Sequence, residues 1–358
     1  MRTVAGILLV SAVAIPACGP RGAAELPGAA PPSACRSLVD ASGRAAVPAV
    51  RWHQPSDESD RRRLAAWCDT VGPGVFAARY GLPSAPADDL AIVSWNVHVG
   101  GGRLDTLIRE LRAGRLTGGT PPAGFVLLLQ EVFRAGPIVP QSIAPGAPVP
   151  DRIEPRAPTG ARDDVVAIAA RENLALLYLP SMRNGRETGD RSEDRGNAIL
   201  STFNVADPAG VELPFIRQRR VAVAATVSGV DAARRPWQLR VVSVHLDAST
   251  GRRHLWLLTS AHRERQAEHL AAALDDESTA TVVGADLNTW AGGEREPAFM
   301  VLQRLFPHAE AGSKVAGSFG LDYLFFRLPA TWRTEVRTAD SDFGSDHRPT
   351  VAWITMGT

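Results

Sequence analysis

Lysine is almost missing: Lys314 stands alone among 39 basic residues in 358. The heavy use of Ala, Gly, Pro and Arg reads as a coding bias and carries no functional weight. No charge of one sign prevails either. Lys plus Arg number 39 against 38 Asp plus Glu, a formal net charge of +1, which excludes bulk attraction to nucleic acid and demands a local basic surface instead. Aromatic residues make up 6%, and no series of them interleaves with the arginines, so stacking on single strands is not indicated. Cysteines number three, none beside an obvious base, so a cysteine nucleophile is not expected. His53, His254, His262, His269 and His308 show no metal spacing tied to a carboxylate, so zinc is not expected. No repeat of fixed period occurs. What is present, 45% hydrophobic and 22% charged residues, is ordinary for a soluble globular chain built around one large domain.

The amino terminus has Arg2, an apolar run over 4–16, and a small residue before a cysteine, Ala17-Cys18. The run is too short to span a bilayer and reads as a secretory signal over 1–18. Ile15-Pro16-Ala17-Cys18 resembles the bacterial lipoprotein cleavage box, in which the cysteine becomes lipidated; Pro16 is uncommon there. Export follows, to a membrane-anchored form in the periplasm or on the cell surface, with plain secretion as the alternative. If Cys18 goes to a lipid, Cys35 and Cys68 remain as an even pair in a chain leaving the cytoplasm, and a disulfide is expected between them. Two buried free thiols are the alternative.

Residues 19–33, rich in Gly, Ala and Pro, read as a tether. Residues 34–89 form an N-terminal extension with a short charged helix at 57–67, which the disulfide would pin to the body. From 90 to 358 strand-length apolar runs recur at 90–95, 125–129, 174–178, 198–200, 221–227, 239–246, 281–283, 321–326 and 350–354. Helical patterns occupy 104–112, 165–172, 254–274 and 297–306. In the longest, Leu255, Leu258, Leu270 and Leu274 share a stripe with Ala267 and Ala271 that packs on a sheet, while Arg263, Arg265 and Glu268 read as its wet side. Seven prolines between Gly136 and Pro158 make that stretch a long surface loop, placed to overhang a site. Many strands with few helices argue for an α/β architecture of two packed sheets with helices outside.

Polar motifs stand at the ends of these apolar runs: Asn96, Gln130-Glu131, His245, Gly284-Ala285-Asp286-Leu287-Asn288, Asp322 and Ser345-Asp346-His347. A hard cation takes oxygen ligands, a phosphodiester needs donors, and an attacking water needs a base. Asn96, Glu131, Asp286, Asn288 and His347 offer all three. Each alone also reads as a strand-end acid, a turn residue or a core histidine; the set together does not.

Ser94-Trp95-Asn96, Leu128-Leu129-Gln130-Glu131, Gly196-Asn197-Ala198-Ile199-Leu200-Ser201, Ser243-Val244-His245-Leu246, Gly284-Ala285-Asp286-Leu287-Asn288, Leu321-Asp322-Tyr323 and Ser345-Asp346-His347, in this order, resemble the endonuclease/exonuclease/phosphatase superfamily over about 90–354. The resemblance implies a four-layer α/β sandwich, two central mixed sheets face to face with helices outside and the site at one sheet edge. It implies Asn96 and Glu131 as ligands of Mg²⁺, with Mn²⁺ or Ca²⁺ as alternatives, and Asp346 near enough to join them or to share a second metal. It further implies Asp286 as the group activating water, Asn288 as a support for phosphate oxygen and water, Asp322 as the partner of His347, and His347 and His245 as phosphate donors. Asn197 either touches the phosphate or turns the chain. His98 is not called for and reads as structural.

Arg183, Arg186, Arg191 and Arg195 precede Asn197, and Arg217, Arg219 and Arg220 follow it; Arg195 is the candidate for direct phosphate contact. Interleaved Glu187, Asp190, Glu193 and Asp194 would cancel much of that field. The expected activity is a Mg²⁺-dependent phosphodiesterase, a monomer acting on DNA outside the cytoplasm. Sphingomyelin or another phospholipid diester is the next substrate, disfavoured because no exposed aromatic hairpin is evident. Inositol phosphates rank third. A non-catalytic surface binding module is the reading of another class, and loss of catalytic residues would be its signature.

Overall fold

The structure, a computed structural model, describes residues 34–46, 49–79, 86–141, 146–147, 162–184, 192–248, 256–274, 276, 278–312, 314–315 and 319–357, with 24–25. Cys18 with the whole of 1–18, most of 19–33 and most of the proline-rich stretch lie outside the described residues. Two mixed eight-stranded sheets form the centre. All the expected strands are present. So are the expected helices, Glu58–Cys68, Leu104–Arg112, Val165–Arg171, Trp256–Ala273 and Pro297–Leu305.

In the first sheet the chain order across is Ala24–Glu25, Arg51–Gln54, Asn204–Glu212, Val221–Val230, Pro236–His245, Thr281–Asp286, Asp322–Arg327 and His308–Ala311. In the second it is Arg333–Thr338, Thr350–Thr355, Asp89–Asn96, Phe125–Ala135, Glu193–Ser201, Ala175–Arg183, Gly74–Ala77 and Leu38–Val39. The central strands are apolar on both faces, since each sheet is covered on both sides. Between the sheets lie Leu90, Ile92, Leu128, Leu239, Val241 and Phe326. Outside the second sheet Leu104, Leu107, Ile108 and Leu111 seal the Leu104–Arg112 helix against Val93, Trp95 and Leu127. Outside the first, Ala267, Leu270, Phe299 and Leu302 do the same against Val242, Val244 and Phe325. The four layers are therefore helix, sheet, sheet, helix.

The segment before residue 90 supplies strands to both sheets. Leu38–Val39 and Gly74–Ala77 extend the second sheet, and Arg51–Gln54 pairs in parallel with Ala209–Val211 of the first. Cys35 and Cys68 form a disulfide that joins the start of this segment to the end of its helix. A buried ionic cluster fastens it further: Arg36 Nη2 donates to Glu212 Oε2 at 2.8 Å, Gln54 Nε2 donates to the same oxygen, and Arg219 Nε donates to Oε1 at 2.8 Å.

One expectation is corrected. Arg263 lies not on a wet face but buried, donating from Nε to Glu296 Oε1, because the Pro297–Leu305 helix packs alongside and brings a carboxylate to it. Arg265 is half exposed and pairs with Asp60 of the N-terminal segment.

Candidate active site

Three strands of the first sheet put His245, Asp286 and Asp322 in a single row. His245 is in register with Asp286 across a parallel pair, and Asp286 with Asp322 across an antiparallel one. In the second sheet Asn96 is in register with Gln130. The two rows meet because the sheets approach closely here. A Cβ on Gly284 would lie 2.7 Å from Ser94 Oγ and 2.9 Å from Leu128 Cβ. Polar bonds bridge the gap: Ser243 Oγ donates to Leu129 O at 2.8 Å, Gln130 Nε2 donates to Ser243 Oγ at 3.1 Å, and Asn96 Nδ2 donates to Asp286 Oδ2 at 2.9 Å.

Backbone irregularities aim the remaining groups. Between Leu129 and Val132 the Phe125–Ala135 strand bulges, so that Gln130 and Glu131 together face Asn197. Glu131 takes a φ of 52°, a conformation costly for a residue with a side chain and one that re-aims it out of the alternation. Asn288 has the same φ of 52°, and its backbone N–H bonds Asp286 Oδ1 at 3.0 Å, a turn that asparagine tolerates well. His98 and Val99 also have positive φ, at 48° and 54°, curling the chain after Asn96; His98 N donates to Asn96 Oδ1 at 3.0 Å. On the other side Ser345 Oγ donates to Asn96 O at 2.6 Å and accepts from His347 N at 3.1 Å, which ties the 345–347 turn to the strand end.

Around Asp286 the side chains form a continuous set of contacts. His347 Nε2 lies 3.9 Å and His245 Nε2 3.4 Å from Asp286 Oδ2. His347 Nδ1 is 2.8 Å from Asp322 Oδ2. His245 Nδ1 is 3.0 Å from Arg220 Nη1 and 3.7 Å from Glu131 Oε1. Asp346 Oδ1 is 2.9 Å from His98 Nδ1 and 3.9 Å from His347 Nε2. Asn96, Glu131, Asp286, Asn288, His245, Asp322, Asp346 and His347 are thus linked from both sheets. Asn288 commits Nδ2 to Leu246 O at 3.0 Å. Asn197, buried opposite the bulge, commits Nδ2 to Val221 O at 2.8 Å, which supports the register at the bulge.

Burial pushes the Asp286 carboxyl up to about 7, with Asp322 adding to the rise and His347 opposing it. Burial disfavours charge on His347 as well, yet Asp322 at its Nδ1, together with Asp286 and Asp346, prevails and raises it to about 10. His245 moves the opposite way, lowered by burial first and by Arg220 second. The two histidines therefore differ in charge at neutral pH although both face one carboxylate.

Asp286, Asp322 and His347 bring three ligand-type atoms within 4.8 Å of one another, the one such group among the described residues. A cationic imidazole already held by Asp322 is a poor ligand, so this trio is better suited to handling a proton. The carboxylate and amide oxygens of Glu131, Asp346 and Asn96 form the complementary set: all oxygen, no sulfur, the chemistry that hard divalent cations take.

Of the arginines flanking Asn197, Arg183 and Arg219 are fully buried and spent on structure. Arg183 donates to the backbone of Pro140 and Gln141, and Arg219 to Glu212 and Pro180 O. Arg195 and Arg220 are buried beside His245. Arg186 and Arg191 lie outside the described residues. Two functional contacts were not readable beforehand. Arg220 at His245 had only the cluster of neighbouring arginines as a signal, and the His98–Asp346 pair had only the spacing of His98 from Asn96.

No family model matches the sequence, and no curated protein matches it. Solved structures do resemble the fold. An endonuclease/exonuclease/phosphatase from Beutenbergia cavernae is 20% identical with a TM-score of 0.47, the match covering 75% of this chain and 72% of that one. The human nocturnin catalytic domain with bound sulfate is 16% identical, TM-score 0.46, over 75% and 94%. Sphingomyelinase C from Streptomyces griseocarneus is 17% identical, TM-score 0.43, over 74% and 99%.

Proposed function

We propose that the protein is an exported, metal-dependent phosphodiesterase with DNA as its substrate. One observation carries this: His245, Asp286 and Asp322 from one sheet meet Asn96 and the 345–347 turn from the other around a single carboxylate. Glu131, Asn96 and Asp346 would hold the divalent cation, Mg²⁺ first. When bound it would polarise a phosphoryl oxygen. The chain's own groups do the rest. Asp286, with its carboxyl raised to about 7, is poised near neutrality to take the proton from an attacking water. The backbone N–H of Asn288 and the amide of Asn96 fix its two oxygens. Asp322 holds the His347 ring and its charge, so that the imidazolium meets negative charge growing on the phosphoryl oxygens. His245 offers a second donor, and Arg195 contributes positive potential from beside it.

DNA is favoured over a membrane lipid because, among the residues whose side chains are described, Met300 at 39% exposure is the one exposed large apolar side chain; a lipid diesterase needs an apolar rim to meet a bilayer. No described helix is long and apolar enough to cross a membrane. Export rests on the leader pattern, with Cys18 as the lipid-bearing residue, and the Cys35–Cys68 disulfide suits an oxidising compartment.

The test is one panel of plasmid DNA, RNA, sphingomyelin and inositol phosphates, with Mg²⁺ and with chelator, for the native chain and Asp286→Ala. Expected is plasmid cleavage that chelation abolishes and Asp286→Ala lowers by about 10²-fold to 10⁴-fold, the range for loss of a positioned base. Turnover confined to sphingomyelin or inositol phosphates would replace the substrate. No hydrolysis of any member would leave a binding module.

A further inference from the structure

We propose that Arg220 is a positioning residue that locks His245 in the tautomer bearing its proton on Nε2, making His245 a fixed hydrogen-bond donor at the site. The inference stands on donor chemistry. Arg220 Nη1 lies 3.0 Å from His245 Nδ1, with the two residues only 5% and 4% exposed. A guanidinium donates and never accepts. Nδ1 must therefore accept, and the ring's proton sits on Nε2. The competing arrangement has a proton on Nδ1 directed to Glu131 Oε1, but that oxygen is farther away, at 3.7 Å, and the proton would meet the arginine N–H head on. Nε2–H instead faces Asp286 Oδ2 at 3.4 Å, the side where the phosphate oxygens would lie.

Arg220 is held where it can do this. It opens the Val221–Val230 strand, its carbonyl accepts from Leu213 N at 3.0 Å, and its neighbour Arg219 is buried on Glu212 and on Pro180 O. Its own Nε is buried with no hydrogen-bond partner among the described residues, and the negative groups that act on the guanidinium are Asp247, Glu131 and Asp286. A donor set in place before the reaction needs no reorganisation during it. What the lock accomplishes for catalysis rests on the phosphodiesterase reading; the tautomer itself does not.

The full chain labelled with ¹⁵N-histidine is examined by two-bond ¹H–¹⁵N correlation at neutral pH, with His245 identified by its loss in His245→Gln. Expected is an unprotonated Nδ1 and a protonated Nε2 in the native chain. In Arg220→Met the proton shifts toward Nδ1, and kcat for bis(4-nitrophenyl) phosphate falls about 10-fold to 100-fold, the usual cost of losing a group that orients a site residue. Arg220→Lys, which also only donates, keeps the native tautomer. A proton on Nδ1 in the native chain overturns the proposal, as does an Arg220→Met protein with the tautomer unmoved. Should Arg220→Met fail to fold, the native spectrum alone decides. A native chain with the expected tautomer and no phosphodiester turnover would sink the function and leave the lock standing.

Discussion

His347 and His245 reach the same Asp286 oxygen from the 345–347 turn and from a strand end, and are set apart by their second nitrogens, one against the Asp322 carboxylate and the other against the Arg220 guanidinium. Each site residue is ordinary in isolation; its chemistry comes from that partner, and partners far apart in the chain are what a linear reading sees least. Asp322 beside His347 was foreseen only through the order of the motifs, and Arg220 not at all. A histidine away from the site shows the same physics in stability. Burial, with His53 and Arg265 nearby, drops His269 from 6.5 to about 4. The unfolded chain therefore binds more protons than the folded one between those values, and the contribution of His269 is fully present above pH 6.5 and lost as pH falls toward 4. Urea midpoints at pH 7.5 and 4.5 should show the native protein losing about 2 to 3 kcal/mol more than His269→Gln over that span. Equal losses would mean that His269 is not held neutral in the fold.

Strands deliver these side chains, and their irregularities do the aiming. The apolar runs at 90–95, 125–129 and 281–283 were legible because strands buried on both faces are apolar throughout. The strands Asn204–Glu212 and Arg333–Thr338 were not, because one carries Asn and Asp at its exposed end with a proline next to them and the other alternates charged residues at a sheet edge. The bulge at Glu131 was invisible as well: nothing in Leu-Leu-Gln-Glu-Val marks a φ of 52° there, yet it decides which way the carboxylate points. Close approach of the sheets is the other element-scale requirement, and Gly284 permits it. Gly284→Ala places a methyl group against Ser94 and Leu128 and should cost about 1 to 3 kcal/mol by overpacking, read from the urea midpoint. A neutral effect would mean that the sheets can part at this end without penalty.

Across the whole molecule, the four layers were foreseen from strand and helix patterns together with motif order. The place of residues 34–89 was not, since short strands such as Leu38–Val39 and Gly74–Ala77 carry too little pattern to read. They make the N-terminal segment part of both sheets, fastened by the Arg36–Glu212–Arg219 cluster and by the disulfide, whose cysteines are 33 residues apart. Replacing both with serine should lower stability by about 3 to 4 kcal/mol on the loop-entropy account, measured by denaturant unfolding. No change would assign the segment's order to the ionic cluster alone. The central claim is that Asn96 and Glu131 of the second sheet, with Asp346, hold one divalent cation opposite Asp286 of the first for phosphodiester hydrolysis. It is tested most directly by titrating Mg²⁺ into chelator-treated protein while following bis(4-nitrophenyl) phosphate hydrolysis, for the native chain and Glu131→Gln. The account predicts no rate without metal, a saturable rise in the native chain, and a half-saturating Mg²⁺ concentration raised at least about tenfold in Glu131→Gln, a loss of roughly 1.4 kcal/mol in binding. Undiminished hydrolysis by the metal-free protein, or an identical titration for the two chains, would contradict it.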